Sequence, residues 1–146
     1  MNSHDDDPFT LTERLSDPQI VQLHNLIRQQ WWGTKRILTD VQSMVQNTSL
    51  MLGLIRRSDD QLVGYCRVLT DFVFRATIYD VMIDKTLQGR GLGKQLIDAL
   101  CNHPKLQCVS FLYLACDPEL YAFYETWGFK PYQGKAQWMI KVQREE

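Results

Sequence analysis

Three glycines at alternate positions lie between an apolar, strand-like segment and a helix-like one. They belong to the run Gln88-Gly89-Arg90-Gly91-Leu92-Gly93-Lys94. Because glycine has no side chain, the backbone N–H groups of such a run can closely approach a ligand. Where the run opens a helix, the unpaired N–H groups of the first turn and the positive end of the helix dipole converge. The run therefore predicts an anion site, usually filled by phosphate, with Arg90 and Lys94 as flanking cations.

The chain length and composition indicate one globular domain. The chain has 146 residues, of which 45% are apolar and 23% are charged, and a net charge of -1. This charge gives no argument for a nucleic-acid or membrane partner, and no apolar stretch is long enough to span a bilayer. We expect residues 1–7 to be a disordered acidic tail and residues 8–146 to be a single domain. The N-terminus lacks the features of a signal peptide, so we expect a cytoplasmic protein.

The cysteine and histidine spacing predicts neither a metal site nor a disulfide framework. The four cysteines show no C-x-x-C pair, and the three histidines do not cluster with them in the sequence. Structural zinc sites have tighter spacing than this. We therefore expect no metal and read the cysteines as free thiols in a reducing compartment.

Hydrophobic periodicity predicts the element order β-α-α-β-β-β-α-β-α-β-β. Helices are expected from Asp17, from about Asp40, over residues 91–101, and from Asp117 to Trp127. Strands are expected at residues 9–15, 50–55, 62–69, 76–83 and 109–115, and near 129–132 and 137–142. Antiparallel hairpins followed by a βαβ-like unit predict an α/β (α+β) fold. Its mixed, mostly antiparallel sheet would have about six to seven strands and helices on both faces.

The glycine spacing excludes the two commonest nucleotide loops. A dinucleotide fingerprint requires G-x-G-x-x-G, but Lys94 occupies the position of its last glycine. A P-loop requires a glycine at the position of Gln88 and a serine or threonine at the position of Gln95. The pattern that fits is Gln/Arg-x-x-Gly-x-Gly/Ala, satisfied by Gln88, Gly91 and Gly93.

A second element strengthens this interpretation. Downstream of the glycine run lies Phe123-Tyr124-Glu125-Thr126-Trp127-Gly128-Phe129. Together the two motifs resemble the GNAT superfamily of N-acetyltransferases, and the predicted element order resembles that family along nearly the whole chain. The resemblance implies a sheet splayed at the cofactor site and acetyl-CoA as the acyl donor.

The resemblance also implies which residues contact the cofactor. The pyrophosphate is expected to lie against Gln88, Gly89, Arg90, Gly91, Leu92, Gly93 and Lys94. Main-chain groups of Val81, Met82 and Ile83 are expected to hold the pantetheine arm and the acetyl carbonyl. Asp117 matches a cofactor-contacting position at which the family commonly has asparagine, so the aspartate departs from the pattern.

Two residues are candidates for proton transfer. The resemblance implies that Tyr124 is the general acid that protonates the departing thiolate, although an aromatic core residue would give the same pattern. A base must take the amine proton. Asp80 is the carboxylate nearest to the expected acetyl site and is the candidate base, and a water chain is the alternative.

The sequence constrains the identity of the acceptor less than that of the acyl donor. Trp31 and Trp32 lie between the first two helices, where the family often forms its acceptor site, but they fit a core and surface role equally well. The sequence thus predicts an acetyl-CoA-dependent N-acetyltransferase acting on a small-molecule or peptide amine, with a homodimer as a possible assembly. Transfer of another small acyl group, or a non-catalytic CoA-binding sensor or interaction module on the same fold, remains an alternative.

Overall fold

A single five-stranded sheet organises the chain. The computed structural model describes residues 6–146, so residues 1–5 of the predicted acidic tail lie outside the described residues. The strands follow one another across the sheet in chain order: β1 (Phe9–Thr12), β2 (Leu50–Arg56), β3 (Gln61–Thr70), β4 (Arg75–Ile83) and β5 (Phe111–Leu114). All neighbours are antiparallel except β4 and β5, which are parallel. The predicted mixed sheet is confirmed.

Polar side chains close the two central hairpins. At the β2–β3 turn, the Arg56 guanidinium donates to both carboxylate oxygens of Asp59, at 3.0 and 2.8 Å. At the β3–β4 turn, Oδ1 of Asp71 accepts from the backbone N–H groups of Val73, Phe74 and Arg75. Such local bonds satisfy turn N–H groups that have no partner in the ladder. Both hairpins predicted from the sequence are confirmed.

Two helices cover one face of the sheet. Helix α1 (Asp17–Arg28) begins with a reciprocal capping box between Ser16 and Gln19, and α2 (Leu38–Gln46) follows after an irregular connection. Their apolar positions pack onto Tyr65 and Met82, and the buried residues from the helices are Leu23, Leu26, Ile27 and Val41. This layer fixes the connection between α1 and α2 above the sheet.

The other two helices lie on the opposite face. Helix α3 (Leu92–Cys101) buries Leu96, Ile97 and Leu100 against the sheet, and α4 (Tyr121–Glu125) contributes Tyr124 to the same cluster. A 3₁₀ turn, Pro118–Leu120, leads into α4. The predicted helix from Asp117 to Trp127 is therefore shorter than expected, whereas the prediction of helices on both faces is confirmed.

The predicted strand number of six to seven is wrong, because neither residues 129–132 nor residues 137–142 form a strand. A strand needs a neighbour for its backbone groups, and Pro131 lacks an N–H to offer one. The alternating apolar side chains of residues 137–142 remain exposed and bury no face in this chain. Periodicity indicates which face a strand would bury, not whether a sheet edge lies within reach.

Candidate active site

Strands β4 and β5, at one edge of the sheet, separate part of the way along their length. They pair from Arg75 with Phe111 to Ile78 with Leu114, and β4 then continues alone on that side to Ile83. The register of β4 against β3 also shifts in this stretch, and Asp80 has a left-handed φ of 56°. A bulge of this kind bends a strand and turns it away from its neighbour. It leaves the backbone at Val81, Met82 and Ile83 unpaired with β5.

The glycine run follows β4 after a short 3₁₀ turn, Lys85–Leu87. Gly89 and Gly91 have φ values of 81° and 77°, a region that other residues rarely adopt, and a Cβ atom at either would meet nothing within 4 Å. Gly91 caps α3 without any side-chain hydrogen bond to the first turn. The N–H groups of that turn therefore face a surface free of side chains at the positive end of the helix dipole. These residues fit the pyrophosphate of CoA.

Two of the polar side chains in the glycine run, those of Lys94 and Gln88, form hydrogen bonds within the chain. Nζ of Lys94 donates to Oδ2 of Asp98 at 2.9 Å, and Arg90 is exposed. The side-chain amide of Gln88 donates to the carbonyl of Ile83 at 3.4 Å, which ties the loop back to β4. Leu92 is buried and anchors the start of α3, so the run is held at both ends.

Tyr124 is the buried aromatic residue of the second motif. Its ring lies edge-on to Phe123, with centroids 5.0 Å apart, and to Phe129, at 6.1 Å. Burial raises the pKa of the Tyr124 hydroxyl to about 12, with smaller contributions in the same direction from the thiols of Cys116 and Cys66. The hydroxyl is therefore protonated throughout the physiological pH range, as a general acid requires.

The second motif is also tied to the helix that the glycine run opens. The indole N–H of Trp127 donates to Oδ1 of Asp98 on α3 at 2.6 Å. Across the α3–α4 contact, a Cβ at Gly93 would lie 3.7 Å from the ring of Phe123. The two motifs, which are remote in sequence, thus form one unit.

Asp117 lies at the exit of β5. Its carbonyl accepts from the N–H of Leu120 at 2.9 Å, which starts the 3₁₀ turn, while its exposed side chain makes no capping bond. The carboxylate is free to turn towards the gap between β4 and β5. No contact in the chain assigns it to the cofactor.

Asp80 lies in a cluster of charges. Nε of Arg67 donates to its Oδ2 at 2.6 Å, and Nη1 of Arg36 reaches the same oxygen at 3.4 Å. All three side chains are largely buried. Arg36 also stacks over the ring of Trp32 at 4.8 Å, and Arg67 stacks over Tyr79 at 4.9 Å. The candidate base is therefore held by two cations.

A cleft of ≈ 360 Å³ opens beside this cluster, between α2 and β3. Its walls include Arg36, Val41, Met44 and Arg67. Trp31 is exposed and does not line it, and Trp32 lies behind the Arg36 guanidinium. The sequence signal for this cleft is the cationic pair Lys35-Arg36, which begins three residues after Trp32.

The last residues of the chain also reach this cleft. Glu145 pairs with Lys35 at 3.3 Å, Nη2 of Arg36 with Glu146 at 3.3 Å, and Arg144 with Asp40 at 3.2 Å. The cleft thus carries charges of both signs at its rim.

The described residues contain neither a candidate metal-binding group nor a helix that could span a membrane. Within residues 6–146, no three or more histidine, cysteine or acidic side chains are grouped as a metal site. Over the same residues, no helix combines the length and apolar character needed to cross a bilayer.

A family model, related sequences and related structures all point to one protein family. Residues 16–129 match the model of the acetyltransferase (GNAT) family. An uncharacterized N-acetyltransferase of Pyropia yezoensis, ycf52, is 35% identical over 112 residues, covering 75% of this chain and 64% of that protein. Histone acetyltransferase TAP1 of Glycine max is 30% identical over 123 residues, which are 78% of this chain and 53% of the relative.

The structural comparison extends over most of the chain. The crystal structure of a protein from Xanthomonas campestris, described as belonging to the GNAT family, superposes with a TM-score of 0.74. The two sequences are 28% identical, and the match covers 85% of each chain. This chain spans less than two thirds of the length of the curated relatives above. The family model, which matches well over half of this chain, nevertheless establishes that the chain belongs to the GNAT acetyltransferase family.

Proposed function

We propose that this chain transfers an acetyl group from acetyl-CoA to a primary amine, by direct attack within a ternary complex. The observation that carries the proposal is the bare glycine run at the start of α3, which one short turn joins to the strand that separates from β5. The proposed pyrophosphate site and the gap that would admit the thioester thus lie at the same end of the sheet. Family membership supports acetyl transfer as the reaction.

The donor half of the site uses backbone groups. The N–H groups at the start of α3 bind the pyrophosphate, with Arg90 and Lys94 as nearby cations. Bound acetyl-CoA supplies the thioester carbonyl as the electrophile. The backbone of Val81, Met82 and Ile83 pairs with β3 but not with β5, so an N–H group on the β5 side can polarise that carbonyl.

The hydroxyl proton of Tyr124 stabilises the departing sulfur. Its raised pKa of about 12 keeps the hydroxyl protonated, and the surrounding rings exclude water. A thiolate is less basic than this tyrosinate, so the hydroxyl acts by donating a hydrogen bond to the negative charge that develops on the sulfur as the C–S bond breaks. General acid catalysis of this kind contributes on the order of 100-fold or more.

Water is the better candidate for the base than Asp80. The Asp80 carboxylate already accepts charge-assisted hydrogen bonds from Arg67 and Arg36. If Asp80 took a proton, its charge would be lost and both bonds would weaken. We assign Asp80 the role of a positioning residue that holds the bulge in β4. An amine that enters neutral would then lose its proton to solvent after the attack.

The acceptor is a small primary amine bound in the cleft beside Arg36. Val41 and Met44 offer apolar contacts there, and the rim offers ionic ones of both signs. The relative named as a histone acetyltransferase makes a peptide lysine the second acceptor to test. The predicted cytoplasmic location stays a prediction, since a relative from Arabidopsis thaliana is named as chloroplastic.

Calorimetry with CoA and acetyl-CoA, followed by thiol-release assays over a panel of amines and lysine peptides, tests this function. We expect one acetyl-CoA site per chain and amine-dependent thiol release. Absence of binding would overturn the proposal. Binding without thiol release for every amine would favour the alternative of a non-catalytic CoA-binding module, for which the ion-paired state of Asp80 is the supporting observation.

A further inference from the structure

Two guanidinium groups share a single carboxylate beside the cleft. The side chains of Arg36 and Arg67 are 16% and 13% exposed, and both reach Oδ2 of Asp80. Neither guanidinium loses its proton in the physiological pH range. Two positive charges that are largely removed from water therefore face one negative charge. Such an imbalance is costly unless a further anion offsets it.

Both guanidinium groups are fixed in orientation. Arg36 stacks on the ring of Trp32, and Arg67 stacks on that of Tyr79. Asp80 engages only Nη1 of the first and Nε of the second. Each guanidinium has five N–H donors in one plane, so both retain donors for another oxygen ligand. Both arginines also line the cleft, which is where such a ligand would enter.

A carboxylate of the chain itself already lies on the outer edge of Arg36. Nη2 of Arg36 donates to Oε1 and Oε2 of Glu146, at 3.3 Å each. The Glu146 side chain is 64% exposed, and exposed ion pairs of this kind are weak. The cleft therefore has room for a carboxylate at Arg36, and an incoming carboxylate can replace Glu146 at little cost.

The charge of the cleft favours the same kind of ligand. Its walls and the adjoining Asp80 cluster supply three cations and two carboxylates, namely Lys35, Arg36, Arg67, Asp40 and Asp80. Residues 144–146 add one cation and two carboxylates, which bring the sum to zero. When Glu146 is displaced, the cleft has a net positive charge, which attracts an anion and disfavours an additional cation.

We infer that the acceptor amine carries a carboxylate, which Arg36 and Arg67 bind in place of Glu146. This acceptor class rests on the proposed function, since it names the amine that the cleft admits. Val41 and Met44 offer apolar contacts to a short aliphatic chain between the two polar ends. The amine nitrogen replaces the sulfur at the acetyl carbonyl and loses one proton, while the thiolate gains one. The products are an N-acetylamino acid and the CoA thiol.

Acceptor pairs that differ only in charge test this specificity. Amino carboxylates of increasing chain length are each compared with their carboxamides by thiol release from acetyl-CoA. We expect the best carboxylate to exceed its carboxamide by about 30-fold in kcat/KM, because the amide loses the charge-assisted hydrogen bonds. Carboxamides that match or exceed the carboxylates would overturn the inference. Aminoalkyl phosphates are a third arm, and a preference for them would contradict a carboxylate site.

Two substitutions act on the site in opposite directions. Arg36→Gln leaves Asp80 paired with Arg67 and should lower kcat/KM for carboxylates about 30-fold more than for carboxamides. A purely structural fault would lower both alike and so contradict the assignment. Glu146→Gln removes the resident carboxylate and should lower KM for carboxylates about 3-fold. Asp59→Asn, which frees Arg56 outside the cleft, is the control and should leave KM unchanged.

A binding measurement without acetyl-CoA separates this specificity from the proposed reaction. NMR signals of the arginine side-chain N–H groups are followed during titration with each carboxylate and its carboxamide, and Arg36→Lys and Arg67→Lys assign the two signals. We expect both to shift with the carboxylate and not with the carboxamide. Such shifts without thiol release would retain the carboxylate site and overturn the proposed function. Thiol release without them would retain the function and overturn the carboxylate site.

Discussion

Nε of Arg67 on β3 donates to Oδ2 of Asp80 in the β4 bulge at 2.6 Å. The bond crosses the two strands at the point where their register shifts. Arg36, from the connection between α1 and α2, reaches the same oxygen. One carboxylate therefore joins three parts of the chain around the cleft and holds a residue with a positive φ.

Replacing Asp80 by asparagine should destabilise the fold. The variant keeps the shape of the side chain but leaves two largely buried guanidinium groups without their counter-charge. Removing one partner of a buried ion pair costs about 3–5 kcal/mol of unfolding free energy. Urea denaturation measures this change. Asp59→Asn, which breaks the exposed pair with Arg56, is the control and should produce no comparable loss.

The same Asp80→Asn variant separates a positioning role from a base. We expect the pH dependence of kcat to keep its shape, because it follows the protonation of the acceptor amine. If kcat fell nearly to zero and its decline at acidic pH disappeared from the remaining activity, Asp80 would instead be the base.

Replacing Tyr124 by phenylalanine should lower kcat by about 100-fold, because the proton for the departing sulfur is lost. The dissociation constant for acetyl-CoA should not change, since phenylalanine preserves the ring contacts with Phe123 and Phe129. Stopped-time thiol release gives kcat, and calorimetry gives the binding constant.

Tyr121→Phe on the same helix is the control for this variant. Tyr121 is partly exposed and makes no ring contact with the Tyr124 cluster, so its kcat should stay at the parent value. Equal kcat values for the parent chain and Tyr124→Phe would remove the hydroxyl from the mechanism.

Gly91→Ala should weaken acetyl-CoA binding. Alanine at a φ of 77° costs about 1 kcal/mol of folding free energy, and its methyl group projects into the surface that we propose for the pyrophosphate. We expect the dissociation constant, measured by calorimetry, to rise about 10-fold or more.

Gly128→Ala provides a matched control for backbone strain. Gly128 has a φ of 89° and, like Gly91, an open position for a Cβ atom, but it follows α4 instead of opening α3. Both variants should lose similar stability. If Gly128→Ala weakened acetyl-CoA binding as much as Gly91→Ala, the effect would come from strain and not from the glycine run.

The glycine run and the hairpins could be predicted from the sequence because local chemistry determines them. Gly91 caps α3 as its position suggested, and Asp71 closes the β3–β4 turn through its own neighbours. The Arg67–Asp80 pair could not be predicted, because a bulge shifts the register between β3 and β4. One added residue changes which side chains meet across a ladder.

The prediction of two C-terminal strands was wrong for a different reason. Residues 137–142 have the hydrophobic pattern of a strand, yet within residues 6–146 no neighbouring strand pairs with them. A hydrophobic pattern carries no information about whether a free sheet edge lies within reach. The cleft beside Arg36 could not be predicted either, because Arg36 meets Arg67 and Asp80 only after folding.

Stability should fall as the pH rises above about 9. Burial raises the pKa of the Cys66 thiol to about 12 from an ordinary value of 9.0, and it raises the pKa of Tyr124 to about 12 and that of Tyr65 further. All three groups bind a proton more tightly in the folded chain than in the unfolded one. Unfolding therefore releases protons at alkaline pH, and the unfolding free energy declines by up to about 1.4 kcal/mol per pH unit for each group.

Cys66 accounts for the first part of this decline, because the thiol of the unfolded chain ionises before the phenols. Between pH 9 and 10, we therefore expect Cys66→Ala to flatten the slope of unfolding free energy against pH, measured by urea denaturation at each pH. Alanine at this buried site also lowers stability at every pH, so the slopes are compared and not the absolute values. Cys108→Ala removes an exposed thiol and should retain the parent slope. If Cys66→Ala and the parent chain have the same slope, the buried thiol does not cause the alkaline loss.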